Sequence, residues 1–249
     1  MPRRDQQEAR TALRCLDLTA LGAGVDRAAI TSLCERAVTA HGPVAAVCLH
    51  GRWAELALDR LVGTPVRVAS VANFPDGRSD IAAAVREVRV IEKAGAHEVD
   101  VVIPHRVVGT DTPLLRRFLT EVRAAAGPMT LKFILETGLL TEVSRIRNAA
   151  EEAVGAGADF IKTSTGMVPV NATPEAAAVM LDVIAAHDGR CGFKASGGIR
   201  RLEDAATYIA LARARFGEGW VGPDRFRIGA SGLRDALLAV LASPTAPGG

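Results

Sequence analysis

Lys132, Lys162 and Lys194 each interrupt a short apolar run, in TLKFILE, DFIKTSTG and CGFKASGG, and Glu98 and Asp100 interrupt another in EVDVVI. If these runs are strands, successive side chains point to opposite faces. Leu131, Phe133 and Leu135 then share one face and leave Thr130, Lys132, Ile134 and Glu136 on the other, while Val99, Val101 and Ile103 oppose Glu98 and Asp100. Burying charge is costly unless it is compensated. Mutual pairing in a structural network is the plain alternative, and for a single charge it is the preferred one. Several such groups at the carboxyl ends of neighbouring strands, where barrel enzymes place their active sites, favour catalysis instead. A lysine, with an ordinary pKa of about 10.4, is a poor nucleophile while protonated. Desolvation or a nearby second cation frees its amine to form a Schiff base with a carbonyl. Lys162 and Lys194 would supply nucleophile and cation, and Asp100 is suited to proton transfer.

Two glycine-rich turns add to this. Ser196, Gly197 and Gly198 follow the run ending in Lys194, and Gly229, Ala230, Ser231 and Gly232 precede a helical pattern. Either alone reads as an ordinary turn. Together, in the loops after the seventh and eighth strands of a barrel, they favour a phosphorylated substrate, because amides at a helix N-terminus bind phosphate and glycine lets it approach.

The elements that must position these groups follow from periodicity. Strands are predicted at 15–19, 44–49, 65–72, 97–103, 129–136, 158–162, 191–195 and 226–229. Helical patterns lie between them. Asp26 caps one, Thr173 with Pro174 and Glu175 starts another, and Gly95 closes a third in which Val85, Val88 and Ile91 face inward. Eight alternating units without a Pro/Gly/Ser-rich linker predict one α/β domain over 1–249, a (β/α)8 TIM barrel preceded by an extra N-terminal helical segment, with loose ends near 1–5 and 243–249. An open doubly wound sheet is the alternative, but CLDLTALGAG has the wrong spacing for a nucleotide turn.

Composition agrees with a globular chain: 249 residues, 49% hydrophobic, 23% charged, with 30 basic against 28 acidic residues. That balance, with no charge block, argues against nucleic acid and membrane surfaces as partners. No apolar run approaches the roughly 18 residues of a membrane span, and MPRRDQQEAR has no apolar stretch of a secretory signal. Cys15, Cys34, Cys48 and Cys191 lack metal-site pairing, so no metal is expected and a reducing, cytoplasmic setting is the simplest reading.

LDLTAL (16–21), AAVCL (45–49), VANFPDG (71–77), GAHEVDVVIP (95–104), LKFILETG (131–138), GADFIKTSTG (157–166), VNATPEAA (170–177), GFKASGGIR (192–200) and IGAS (228–231) span nearly the whole chain. In that order they resemble the deoxyribose-phosphate aldolases, class I aldolases on a (β/α)8 barrel, and NATPE resembles the branch that includes the enterobacterial enzymes. The resemblance implies reversible cleavage of 2-deoxy-D-ribose 5-phosphate to D-glyceraldehyde 3-phosphate and acetaldehyde, in deoxyribose phosphate catabolism, with no cofactor. The implied partners are phosphosugar and aldehydes, and a homo-oligomer is left open. Lys162 matches the Schiff-base lysine. Lys194 matches the second lysine, which lowers the nucleophile's pKa and shares a proton relay with Asp100. Asp17 and Thr19 match positions that contact sugar hydroxyls, Gly166, Gly197, Gly198 and Ser231 match the phosphate loops, and Lys132, grouped with the substrate site, matches a further lysine that the resemblance implies tunes the field rather than reacting.

Three positions depart from that branch: Met167 replaces a lysine, Gly232 replaces a second serine, and the chain ends PTAPGG without the terminal tyrosine, its one tyrosine being Tyr208. They motivate a second reading, a Schiff-base aldolase or phosphosugar barrel with a different substrate choice. A silent barrel that binds a phosphorylated ligand is the third reading, weakened by the retained Lys162. His50, His105 and His187 are expected at the surface or in loops. Cys48 is expected to be a small core residue, open to alkylation by aldehyde products if its thiol faces the mouth.

Overall fold

The computed structural model describes residues 4–243. Eight strands, β1 (Leu16–Ala20), β2 (Ala46–His50), β3 (Arg67–Ala72), β4 (Glu98–Val102), β5 (Thr130–Ile134), β6 (Phe160–Lys162), β7 (Gly192–Ser196) and β8 (Phe226–Ala230), form a closed barrel. Each pairs in parallel with the next, and β8 returns to β1 through Leu16↔Ile228 and Asp17↔Gly229. Closure excludes the open sheet. All eight predicted strands are present. The run predicted at 129–136 stops at Ile134, because Glu136 turns into the left-handed region with φ 56° and ψ 56°.

Helices α1 (Arg4–Arg14), α2 (Arg27–Arg36), α3 (Ala54–Arg60), α4 (Ile81–Lys93), α5 (Thr112–Ala126), α6 (Thr137–Leu140), α7 (Val143–Gly155), α8 (Pro174–Ala186), α9 (Leu202–Phe216) and α10 (Leu233–Ala242) accompany the strands. A two-residue hairpin, Val38–Thr39 with Gly42–Pro43, was not anticipated. The cap signals work as the chemistry requires: the Asp26 carboxylate accepts from Ala29 N at 2.8 Å and the Thr173 hydroxyl from Ala176 N at 3.2 Å. In α4, Val88 and Ile91 are buried and Val85 half-buried, with Arg86, Glu87 and Arg89 exposed.

The extra N-terminal helix α1 packs on α9 and α10. Glu8 pairs with Arg213, and Gln6 Nε2 donates to the Ser243 carbonyl at 2.8 Å. Of the ends expected to be loose, residues 1–3 and 244–249 lie outside the described residues, and Arg4 and Asp5 open α1. Among the described residues no helix is long and apolar enough to cross a membrane.

Strand alternation divides the protein into two interiors. Outward-facing Leu131, Phe133, Val99, Val101, Phe193 and Ile228 join the helices in the main apolar core. Inside the barrel, Ala46, Cys48, Ala69 and Val71 make a second, small apolar wall capped by Leu21, on the β2–β3 side. The β4–β8 side of the interior carries the charged side chains, with Phe160 packed against Lys132 and Arg227. Small side chains on that wall leave room for the long lysines opposite, which is how a closed barrel stays packed while carrying charge.

All four cysteines are buried and free. Burial pushes the thiols of Cys15 and Cys191 up to about 12 and that of Cys34 up to about 11. Thiolate is the reactive species, so iodoacetamide at pH 8 is expected to leave the native protein unmodified and to label four sites after denaturation, counted by mass spectrometry.

Candidate active site

Register brings the charged positions side by side. Asp100 pairs across β4 and β5 with Lys132, Lys162 across β6 and β7 with Lys194, and Lys194 across β7 and β8 with Arg227. All face the axis. Asp100 is the hub: Oδ1 accepts from Lys132 Nζ at 2.9 Å, and Oδ2 accepts from Lys162 Nζ at 2.9 Å and Lys194 Nζ at 2.7 Å. A lower layer braces it. Lys132 Nζ also donates to Glu98 Oε2 at 2.5 Å and Lys194 Nζ to Asp17 Oδ2 at 2.5 Å. Arg227 closes the circuit, donating from Nη1 to Asp17 Oδ1 at 2.7 Å and from Nη2 to Glu98 Oε1 at 2.9 Å.

Burial and pairing compete at every member. Burial alone would push the Asp100 carboxyl up, but the three lysines together hold it well below the usual carboxylate range. Burial opposes ionisation of Asp17 and Glu98 too. Lys194, Arg227 and Lys132 outweigh it at Asp17, and Lys132 with Arg227 at Glu98, so both are held low. Burial would likewise lower Lys132 and Lys194, yet their carboxylate partners keep both raised. Lys162 differs in its contacts: its Nζ has one acceptor, Asp100, where Lys132 and Lys194 each have two.

Above the lysines opens a mouth cavity of about 630 Å³, bounded by Thr19, Thr165, Gly166, the Ser196–Arg200 turn and the Gly229–Gly232 turn. Two glycines there are steric necessities. At Gly229 a Cβ would fall 2.7 Å from Ser196 Oγ and 3.1 Å from Lys194 Cε, so its absence makes room for the lysine stem. At Gly197, with φ +88°, a Cβ would fall 2.5 Å from Asn171 Oδ1. The Thr163 hydroxyl donates to the Ser196 carbonyl at 3.2 Å and accepts from Ser196 N at 3.0 Å, tying the β6 and β7 loops together directly above the lysine pair.

The expected catalytic trio, Lys162, Lys194 and Asp100, thus comes into direct contact. Thr19, Gly166, Gly197, Gly198 and Ser231 line the mouth as expected. Two positions grouped with the substrate site lie elsewhere. Lys132 and Asp17 are fully enclosed inside the barrel, and the Lys132 Nζ and both Asp17 oxygens are taken by ionic partners. They brace the site. His105 is buried in a short 3-10 turn rather than exposed, His50 is half-buried with Nε2 3.2 Å from the Leu21 carbonyl, and His187 caps α8. The Cys48 thiol is enclosed in the apolar wall, and burial pushes it up, so it does not open to the mouth. Tyr208 is buried within α9.

Sequence reasoning missed Arg227 and Arg200. Arg227 alternates with apolar Phe226 and Ile228, the same signal that revealed Lys132. Among the described residues Arg200 is the one charged side chain lining the mouth cavity, and it directly follows the SGGI turn.

A profile of the DeoC/LacD family aldolases matches residues 9–239. The chain belongs to that family. This aldolase also resembles solved structures over most of its length. A provisionally assigned deoxyribose-phosphate aldolase from Coccidioides immitis is 28% identical, with a TM-score of 0.82 over 93% of this chain and 86% of that one. An aldolase described as QR15 is 28% identical, with a TM-score of 0.78 over 92% and 96%. The deoxyribose phosphate aldolase of Aeropyrum pernix, described as a tetramer, shares the fold at 23% identity, with a TM-score of 0.76 over 97% and 99%.

Because Asp17, Glu98 and Asp100 are held below their ordinary values of 3.8 and 4.5, the stability they contribute is complete above those values and is lost as pH falls through the native ones. Urea denaturation is expected to give a nearly flat unfolding free energy from about pH 7 to 5 and a steep fall below about pH 4. Asp17→Asn should cost about 3–5 kcal/mol at pH 7, since it removes one of the two carboxylate partners from both Lys194 and Arg227, and should make the acid fall shallower.

Proposed function

We propose that this aldolase reversibly cleaves 2-deoxy-D-ribose 5-phosphate, with Lys162 as the Schiff-base nucleophile and Asp100 with Lys194 as its proton relay. The observation that carries the reading is Asp100 Oδ2, shared by Lys162 at 2.9 Å and Lys194 at 2.7 Å beneath an open mouth. The neutral amine of Lys162 attacks C1 of the open-chain aldehyde, and loss of water leaves an iminium. Removal of the C3 hydroxyl proton breaks the C2–C3 bond, whose electron pair flows into the iminium. Glyceraldehyde 3-phosphate departs, and an acetaldehyde enamine remains on Lys162. Protonation of its C2 and hydrolysis by water release acetaldehyde and restore the amine.

Lys162 suits the nucleophile because it has the fewest acceptors of the three lysines, so converting it to an imine disturbs the network least. Asp100 can take a proton from one side and return it from the other, its charge secured by the lysines that remain. Thr19 would meet the sugar hydroxyls. Gly166, Gly197, Gly198 and Ser231 would receive the phosphate, with the exposed Arg200 adding positive charge. The names of the Coccidioides immitis and Aeropyrum pernix proteins support this choice of substrate. A homo-oligomer and a cytoplasmic setting belong to the same reading.

Borohydride reduction with acetaldehyde or the phosphosugar, followed by peptide mapping, is expected to leave one adduct, on Lys162; its absence would sink the mechanism. Lys162→Leu should abolish trapping. Asp100→Asn should retain some trapping while slowing turnover by about 10²–10⁴-fold, and equal loss of trapping in both variants would contradict this division of roles.

A further inference from the structure

Glu136 is a buried carboxyl that the reaction above does not use. It stands just past β5, 1% exposed, in the left-handed conformation that non-glycine residues adopt only at a cost. No cation lies within ion-pair distance of it among the described residues. Its acceptors go instead to one residue of the β6 loop. Glu136 Oε2 accepts from Thr165 Oγ1 at 2.6 Å, and Oε1 accepts from Thr165 N at 3.2 Å. The backbone on either side is pinned to the same segment, Leu135 N to the Lys162 carbonyl and Thr137 N to the Thr163 carbonyl, both at 2.9 Å. Burial pushes the Glu136 carboxyl up, and the Thr165 donors and the Lys162 charge only partly offset this.

The consequence lies in the next two residues. Thr165 Oγ1, while donating to Glu136, accepts from Met167 N at 3.0 Å, and Gly166 between them sits at φ +87°. The Thr165 and Met167 amides are therefore both spent inside the protein. Among the described residues the Gly166 amide has no protein acceptor, and Gly166 lines the mouth across from Gly197, whose Cα lies 3.9 Å from where a Gly166 Cβ would be.

We propose that Glu136 is a positioning residue: through Thr165 it holds the Thr165–Met167 turn so that the Gly166 N–H is left for a phosphate oxygen of the substrate. The role rests on the phosphosugar reading given above. It separates two duties within one motif, since Lys162 does the chemistry and Thr165, three residues on, transmits the grip of Glu136 to the phosphate end.

A double-mutant cycle in the full-length enzyme tests it, with Glu136→Ala, Thr165→Val and the pair assayed on 2-deoxyribose 5-phosphate and on unphosphorylated 2-deoxyribose. Each single change is expected to raise KM for the phosphorylated sugar about tenfold, the size of one charge-assisted hydrogen bond, with kcat reduced less than threefold. The unphosphorylated sugar should lose less than threefold in kcat/KM. The pair should be no worse than the poorer single variant, because both act through one contact, and Thr165→Ser should restore the native KM. Equal losses on both sugars, or effects that multiply in the pair, would overturn the role. Should Glu136→Ala fail to fold by circular dichroism, Glu136→Gln must show the same KM-confined defect in milder form, and its failure to do so counts equally against the role. The underlying reading fails differently: wild-type enzyme that forms no borohydride adduct at Lys162 and releases no acetaldehyde would overturn both. Normal trapping with acetaldehyde in Glu136→Ala, combined with about tenfold weaker inhibition by inorganic phosphate, is the pattern expected of the turn alone.

Discussion

One carboxylate organises the barrel. Asp100 accepts hydrogen bonds from Lys132, Lys162 and Lys194, and Glu98, Asp17 and Arg227 complete the pairing of those buried charges. Counting Asp17, Glu98 and Arg227, the enclosed network holds four cations and three anions. Three of the cations have two or more carboxylate contacts and are anchored. The excess falls on Lys162, whose only ionic partner is Asp100.

Much of this was legible in the sequence because charge on a half-apolar strand has few explanations. Lys132, Glu98 and Asp100 announced the barrel interior by alternating with Leu131, Phe133, Val99 and Val101, and the structure places them there. Arg227 carried the same signal on a shorter run and was overlooked. Other features depend on three-dimensional detail that spacing does not encode. Strand alternation placed Glu136 on the same face as Lys132, but the strand ends two residues earlier, at Ile134, and the left-handed turn sends the carboxylate to Thr165 instead. Likewise, the resemblance placed Asp17 against the sugar hydroxyls and gave Lys132 a field-tuning place in the substrate site. Only the hydrogen-bond geometry reveals that their polar atoms are already committed to Lys194, Arg227, Glu98 and Asp100.

The two kinds of interior share the work of packing. Outside the strands, apolar side chains meet the helices in a continuous core, as in any α/β barrel. Inside, small residues of β2 and β3 face long charged ones from the opposite wall. Gly229 belongs to this balance, since a single methyl group there would press on Lys194 Cε and Ser196 Oγ. Preorganisation of this sort needs little motion during the reaction, which is where fixed dipoles and charges are most effective.

The near absence of charge around the mouth has an evolutionary reading. Among the described residues, and Arg200 apart, the cavity is bordered by glycines, hydroxyls and apolar side chains, while Lys162 and Lys194 are rooted in strands. Rim residues such as Met167 and Gly232 can therefore be exchanged without touching the ion network. A lineage built this way can change which aldehydes it accepts and still inherit the carbon–carbon chemistry intact.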